Sequence, residues 1–316
     1  MTHAPAEALH DLAHRLLSPE DAARWIALLR PGLRLAHAGD GAAVGRLGGL
    51  PDLPLDMPWP HWEGHGPLSH LMSLDCAALT AAGDSGLTLP ASGTLLFFLF
   101  DGRLDDDDCM VYPSDPETRP GSRVLHVPAD TPTRRHPAPA GLDPYPEVAL
   151  TGQPGLSVPT SDAPNVRAAF GEVGNSLAWR RHPVNARPFD SALRALDTHP
   201  SRSGHRLGGH PVPVQEPVEW EIARGVLGPD AAGQDSRLDD EAAAWVLLAQ
   251  IDTDGAGGGP LRGGRVHLAV LLTPHGRPTV RSAGAIRPGH RLADATWSII
   301  GNPCRGGRTQ RRPSCR

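Results

Sequence analysis

The chain has 316 residues and a formal net charge of −5, and all 30 of its basic residues are arginines. This length accommodates one large domain or two ordinary ones. Because lysine is absent, chemistry that needs a lysine Schiff base or a phosphate-binding lysine is excluded. The 36 glycines and 34 prolines predict many turns and few long helices.

Cysteine and hydropathy patterns favour the cytoplasm. The four cysteines form no Cys-x-x-Cys pair, which favours a reducing compartment over a disulfide scaffold. No apolar run approaches the length of a membrane span. The first ten residues lack the basic and apolar regions of a signal peptide. We therefore expect a cytoplasmic protein without a membrane partner.

The N-terminal segment is predicted to contain two short helices near residues 6–30. The leucines between residues 9 and 17 fall at helical spacing. Ser18 is a predicted N-cap with Pro19 in the first helical position, and Pro31 ends the second helix. We expect this helix pair to pack on a sheet.

Apolar runs in the next part of the chain predict strands at residues 68–74 and 93–100. The second run does not alternate, so both of its faces are expected to be buried. Four aspartates at 105–108 follow in a predicted hairpin tip. Residues 113–165 are rich in proline and are predicted to form an irregular loop.

The second half of the chain shows a similar pattern. A helix is predicted near residues 189–197, where apolar side chains share one face. A strand is predicted at 245–251, nearly all apolar and therefore central. A glycine-rich loop and a strand at 265–272 follow.

Three short motifs occur twice in the same order, which predicts an internal duplication. They are Arg-Leu-Gly-Gly-x-Pro at 46–51 and 206–211, a strand ending in aspartate at 71–75 and 248–252, and glycine before an apolar strand at 93–97 and 264–268. The glycine pairs allow positive φ angles, and each proline then forces an extended exit. The predicted structural turn residues are Gly48, Gly49, Pro51, Gly208, Gly209 and Pro211.

We therefore expect an α+β fold of two duplicated β-rich halves, related by pseudo-twofold symmetry, with peripheral helices. The predicted divisions are an N-terminal helical segment (1–40), a first half (41–165), a second half (166–272) and an arginine-rich tail (273–316).

The tail differs from the rest of the chain. From Gly255 to Arg316 there is one acid, Asp294, against eleven arginines. Two interpretations are open: a frame-shifted product of the gene, or a disordered basic segment. A nucleic-acid-binding arm is not favoured, because Trp297 is the only aromatic residue in the tail.

These motifs resemble the YwqG-like bacterial family, a domain of unknown function. The residues that carry the resemblance are 47–51, Trp59-Pro60, Pro67-Leu68, Asp75, Leu89-Pro90, Gly93, 205–211, Pro213-Val214-Gln215 and 247–254. It covers residues 40–272 and implies a duplicated α+β architecture without an established activity. Two positions depart from the family pattern: Ser73 replaces a glutamine, and 262–264 lack the usual Trp-Gly-Asp.

Polar residues at the repeated motifs are the candidate ligand-binding residues: Arg46, Trp59, His205, Arg206, Gln215, Gln250, Asp252 and Asp254. In the sharper hypothesis, Arg46 and Arg206 flank a shared groove in which the glycine N–H groups face an anion. No histidine or cysteine spacing matches a metal site, so neither a metal nor a cofactor is expected.

Two functions are compatible with these residues. The first is a non-enzymatic binding or interaction module that holds an unknown protein or small molecule in a groove between the halves. The second is a hydrolase-like enzyme that uses Asp252, Asp254 and His205 in that groove. The sequence contains no Gly-x-Ser-x-Gly elbow and no phosphate loop, so the first function is favoured and catalysis stays open.

Overall fold

The computed structural model describes residues 6–102, 104, 111–170, 181–196, 204–213, 216–228 and 236–252, together with the backbone of 268–272 and 298–299. Within these residues the fold is α+β, as predicted, with helices and a large antiparallel sheet. The predicted hairpin tip at 105–108 and nearly all of the tail lie outside the described residues.

The two predicted N-terminal helices are present, α1 at Ala6–Leu16 and α2 at Pro19–Ile26. Ser18 caps α2, since its hydroxyl accepts a hydrogen bond from the N–H of Asp21 at 3.1 Å. The other described helices are α3 (Cys76–Ala82), α4 (Pro164–Phe170), α5 (Arg187–Ala195), α6 (Val218–Leu227) and α7 (Ser236–Ala243). Helix α5 confirms the helix predicted near 189–197, and it joins α1 and α2 in one apolar cluster.

Ten strands of the described chain form one antiparallel sheet, in the order β14-β13-β12-β11-β1-β10-β2-β6-β7-β8. Two small ladders, β3-β9 and β4-β5, lie outside it. The strands are β1 (Arg30–His37), β2 (Gly45–Leu47), β3 (Asp52–Pro54), β4 (His61–Trp62), β5 (Gly66–Pro67), β6 (Ser69–Asp75), β7 (Thr94–Leu99), β8 (Ser122–Val127), β9 (Thr133–Arg135), β10 (Val148–Ser157), β11 (His205–Gly208), β12 (Val246–Ile251), β13 (Leu268–Leu272) and β14 (Ser298–Ile299).

The centre of the sheet is formed by β1 and β10, each of which joins a strand from the other end of the chain. Strand β1 pairs with β10 and β11, and β10 pairs with β1 and β2. Outward from this centre, β2-β6-β7-β8 lie on one side and β11-β12-β13-β14 on the other. Both sides contain a Gly-Gly turn with positive φ angles, 56° and 66° at Gly48-Gly49 and 67° and 73° at Gly208-Gly209.

The prediction of an irregular loop over residues 113–165 is wrong. This segment contains β8, β9 and β10, and β10 is central to the sheet. A proline fits in β10 because β2 pairs only with Val148, Ala149 and Leu150, so Pro154 has a strand partner on one side alone. The segment 1–40 is likewise not only helical, because its last part forms β1.

The two strands predicted to be buried on both faces are confirmed. Every residue of β7 from Leu95 to Leu99 is at most 1% exposed, and Phe100 is 4% exposed. In β12, the residues from Leu247 to Gln250 are also at most 1% exposed. Both strands have a neighbour on each side, β6 and β8 for β7, and β11 and β13 for β12.

Candidate functional site

Arg46 closes the first glycine turn with its own side chain. Its Nη2 donates to the carbonyl of Leu50 at 3.0 Å and to the carboxylate of Asp52 at 2.8 Å. Its Nε is buried and makes no hydrogen bond with a described residue, and the nearest acid is Glu147 at 3.6 Å. Arg46 is therefore a turn-stabilising residue within a small surface network of charges.

The glycine N–H groups of this turn do not face an anion. This corrects the hypothesis that they line an anion-binding groove. Gly48 donates to the carbonyl of Leu71 at 2.8 Å, and Gly49 donates to the carbonyl of Tyr145 at 2.9 Å. Pro51 is buried, and its carbonyl accepts a hydrogen bond next to the β3–β9 ladder. The backbone donors are thus used to attach the turn to its neighbours.

The second turn is built in the same way. Arg206 Nη1 donates to the carbonyl of His210 at 3.4 Å, again four residues later in the chain. The His210 N–H donates to the Ser157 hydroxyl at 2.9 Å, and its ring Nε2 lies 2.7 Å from the carbonyl of Leu28. Burial, followed by nearby arginine charge, lowers the pKa of His210 to about 3, so the ring is neutral and Nε2 is the donor. Pro211 is buried beside it.

Gln250 fixes the chain that leaves the second turn. Its amide oxygen accepts from the N–H of Val212 at 2.9 Å, and its amide nitrogen donates to the carbonyl of Val212 at 3.2 Å. The repeat places Ser73 at the equivalent position of the first half, where its hydroxyl lies 2.9 Å from Nε2 of His70. The Gln250 side chain therefore makes the pair of hydrogen bonds with the backbone of Val212 that a neighbouring strand would otherwise make.

His205, Arg206 and Asp252 meet where β11 and β12 adjoin. The N–H of Asp252 donates to Nδ1 of His205 at 3.2 Å, and both residues are buried. Burial lowers the pKa of Arg206 to about 10, and the Asp252 charge partly opposes this shift. The two other candidates of this region, Gln215 and Asp254, lie outside the described residues.

The two arginines of the repeated motif do not lie next to each other. Arg46 is on β2 and Arg206 is on β11, with β10 and β1 between them. Three strand spacings separate β2 from β11, about 14 Å. Each guanidinium is also held at its own turn by a hydrogen bond to the carbonyl four residues ahead.

A crevice lies beside the first turn, between β6 and the segment that leads into β10. The crevice is narrow and open to solvent, and its cavity of about 10 Å³ has room for about one water molecule. The polar and aromatic residues that line it are Trp59, Ser69, His70, Asp143 and Tyr145, next to Gly49. One predicted candidate, Trp59, is among them.

Trp59 is held rigidly at the crevice. Its indole N–H donates to the carbonyl of Leu68 at 2.7 Å. Its ring meets Phe98 edge-on, with the ring centroids 5.9 Å apart. Tyr145 also lines the crevice and is fixed there, since its hydroxyl donates to Asp101 at 2.5 Å. The crevice is therefore preformed between two anchored aromatic side chains.

His70 lines the crevice as a neutral ring. Burial is the main reason that its pKa falls to about 4, and the Arg46 charge adds to the effect. Its Nδ1 lies 3.1 Å from the carbonyl of Gly49, and its Nε2 lies 2.9 Å from the Ser73 hydroxyl. The ring thus donates through Nδ1 and accepts from Ser73, which fixes its tautomer.

The sequence analysis missed His70, Asp143 and Tyr145. His70 is the only ionisable side chain inside the apolar run that predicts β6, and that isolation was an available signal. Asp143 and Tyr145 lie in the segment predicted to be an irregular loop, so no local pattern connected them to Trp59.

Neither an activated cysteine nor a metal-binding cluster is found among the described residues. Cys76 is a buried free thiol whose pKa is raised to about 11, first by burial and then by Asp75, so it is not an activated nucleophile. Within the same residues, no three His, Cys, Asp or Glu side chains are placed to hold a metal ion. None of the described helices has the length and apolar character needed to cross a bilayer.

Comparison with known protein families gives a match over most of the chain. The model of a family described as a domain of unknown function (DUF1963) matches residues 45–259, which is more than half of the chain and includes both glycine turns. No curated protein matches the sequence.

Proposed function

We propose that this chain, which belongs to the DUF1963 family of domains of unknown function, is a binding module for a small molecule or a partner side chain. The crevice beside the first glycine turn is the proposed site. The observation that carries this proposal is that two anchored aromatic side chains, Trp59 and Tyr145, line one crevice together with the neutral His70 ring.

The character of this crevice favours binding of one small polar group. Aromatic walls supply contact area at a small entropic cost, because their side chains are already fixed. The Asp143 carboxylate is exposed at the rim and can accept a hydrogen bond from a ligand. A rigid crevice with room for about one water molecule suits the polar end of a small molecule or of a partner side chain, and not a whole ring.

We further propose that the chain is a YwqG-like, internally duplicated protein of the cytoplasm. The same sequence of strands on the two sides of β1 and β10 supports the duplication, as do the matching φ angles of the two glycine turns. The register also agrees with the sequence repeat, since Arg46 pairs with Ser73 and Arg206 pairs with Gln250. The free thiol of Cys76 is compatible with a reducing compartment.

Indole NMR tests the proposed site. The protein is labelled with ¹⁵N-tryptophan and titrated with a library of small polar fragments. We expect some fragments to shift the Trp59 indole signal, which is assigned with Trp59→Phe, and to leave the signal of Trp25 in the helical cluster unchanged. Tyr145→Ala should abolish these shifts.

The chain offers a matched control, because Tyr112 is its only other tyrosine and is 47% exposed. Tyr112→Ala should leave fragment binding unchanged. If no fragment shifts Trp59 more than Trp25, or if Tyr145→Ala binds as well as Tyr112→Ala, the crevice is not the binding site.

The hydrolase alternative is a second candidate, because one observation favours it: His205 and Asp252 adjoin. However, Nδ1 of His205 already accepts the Asp252 N–H, so the neutral ring carries its proton on Nε2 and has no ring nitrogen available as a base. A panel of chromogenic esters tests this candidate. Hydrolysis that is lost in His205→Gln would support it, and hydrolysis equal to the buffer rate would exclude it for those substrates.

A further inference from the structure

The ring side chains that line the crevice use their polar hydrogens inside the protein. The indole N–H of Trp59 and the Nδ1–H of the neutral His70 ring each donate to a backbone carbonyl. The Tyr145 hydroxyl donates to the carboxylate of Asp101. An indole, a phenol and a neutral imidazole each carry a single polar hydrogen. These three rings therefore have no donor left for a ligand.

The backbone of the first glycine turn offers no donor at the crevice either. The N–H of Gly49 donates to the carbonyl of Tyr145 at 2.9 Å. Ser69, which also lines the crevice, has its own interaction within the protein. A ligand group that only accepts hydrogen bonds, such as a carboxylate or a carbonyl, is therefore poorly matched to the rings and the turn.

Asp143 supplies the complementary property, because it is a hydrogen-bond acceptor at the rim. Its side chain is exposed and makes no hydrogen bond or ion pair with any residue that the structure describes. An ionised carboxylate accepts hydrogen bonds through both oxygens and donates none. Among the described residues that line the crevice, Asp143 is also the one with a formal charge at neutral pH. The crevice is thus suited to a group that donates and is positively charged.

The surrounding charges permit a cation at this place. His70 is neutral, because burial lowers its pKa to about 4. Arg46 is near enough to lower that pKa further, but its guanidinium is ion-paired with Asp52 at 2.8 Å. A cation in the crevice is therefore attracted by Asp143, and the nearby arginine charge is compensated by its own acid.

The size of the crevice selects between the two cationic groups that only donate hydrogen bonds. Its cavity of about 10 Å³ has room for about one water molecule. An ammonium group is a compact point charge on one nitrogen, whereas a guanidinium is a larger planar fork. The ammonium group fits this space, and the guanidinium does not.

We propose that the crevice binds a primary ammonium group, which donates to the Asp143 carboxylate and contacts the rings of Trp59 and Tyr145. This inference rests on the binding function proposed above and adds the chemical class of the ligand. The ammonium belongs to a small amine or to a lysine side chain of a partner protein. No side chain of this sequence can supply it, because the sequence contains no lysine.

Methylammonium chloride is the probe, and the Trp59 indole signal of the full chain labelled with ¹⁵N-tryptophan is the readout. Ionic strength is kept constant with sodium chloride. We expect a saturable shift of the Trp59 signal and none of the Trp25 signal. Methanol is of similar size but uncharged and should shift Trp59 less. Tetramethylammonium keeps the charge but has no N–H, and it should not reproduce the shift.

Asp143→Asn should weaken the apparent affinity for methylammonium about fivefold, which corresponds to about 1 kcal/mol, as for an exposed ion pair. Asp130→Asn is the matched control, because Asp130 is also exposed, follows β8 and does not line the crevice. Its affinity should equal that of the wild type. A lysine blocked at both its α-amino and carboxyl groups identifies the source of the ammonium. Tighter binding than methylammonium supports a partner side chain, and binding of methylammonium alone supports a small amine.

Each of four results would overturn the proposal. Equal affinity in Asp143→Asn and Asp130→Asn places the cation elsewhere. Tetramethylammonium that binds as well as methylammonium shows only a general attraction of cations. Neutral or anionic fragments that shift Trp59 while methylammonium does not exclude an ammonium ligand and leave the proposed binding function in place. If no fragment of any charge shifts Trp59, both the ligand class and the binding function are wrong.

Discussion

Replacing Gly208 by alanine separates two reasons why the second turn needs glycine. Gly208 has φ of 67°, and a Cβ at this position would lie 2.0 Å from the carbonyl oxygen of Ser85. A left-handed conformation costs a non-glycine residue about 1–2 kcal/mol, and forcing the carbonyl away costs about 1–3 kcal/mol more. We expect Gly208→Ala to lower the free energy of unfolding by about 2–5 kcal/mol.

Gly64 is the matched control for this substitution. Its φ is 82°, but a Cβ there meets nothing within 4 Å. Gly64→Ala should therefore cost only the left-handed strain, about 1–2 kcal/mol. The loss of flexibility in the unfolded chain is the same for both variants and cancels in their comparison. Urea unfolding of the two variants measures the difference. If Gly208→Ala is no less stable than Gly64→Ala, the close approach to Ser85 does not exist in solution.

Three further predictions concern the first half and the tail. The folded-state pKa of His70 is about 4, below the ordinary value of 6.5, so the unfolded chain binds the proton more readily. Stability should fall as the pH drops from about 6.5 to about 4, by about 2 kcal/mol at pH 5 from this residue, and His70→Gln should remove that part of the slope in urea titrations. Phe98→Ala should cost about 3–5 kcal/mol in the same assay, because the ring is 0% exposed, whereas Leu55→Ala at a 57% exposed position should stay within about 0.5 kcal/mol. Resequencing the gene tests the frame-shift interpretation of the tail, which requires an acidic continuation containing Phe-Asp in another frame after codon 272.

Elements with strong local patterns could be predicted from the sequence. The serine cap and the following proline fix the start of α2, and the uninterrupted apolar run of β7 predicts a strand covered on both faces. Strand β10 could not be predicted in this way. Its proline and two glycines oppose a strand locally, and only the pairing with β1 and β2, more than a hundred residues away, makes the segment extended.

Helix α3 shows how one residue can have two interpretations. Asp75 was predicted to end a strand, and it does so as the last residue of β6. The same side chain accepts a hydrogen bond from the N–H of Ala78 at 2.7 Å and caps α3. The sequence 76–82 has good helix formers but is too short to show helical periodicity, so the helix was not predicted.

The candidate site was harder to predict than the fold. The repeated motif is the clearest pattern in the sequence, but its polar residues have structural roles and do not line the crevice. Arg46 and Arg206 each donate to the carbonyl four residues ahead, so the motif that is easiest to find in the sequence closes a turn. Trp59 was predicted and does line the crevice. Its partners come from segments that only the tertiary structure brings together.

The crevice depends on a residue that the second repeated motif does not carry. His70 lines the crevice, and the aligned motif places Leu247 at its counterpart. The arginines that the two motifs share close the turns, since Arg46 and Arg206 each donate to the carbonyl four residues ahead. His70 also donates to the carbonyl of Gly49, but the second turn forms without a histidine at this position. Because a histidine is costly to bury, we take ligand binding to be a further reason for its presence at the crevice.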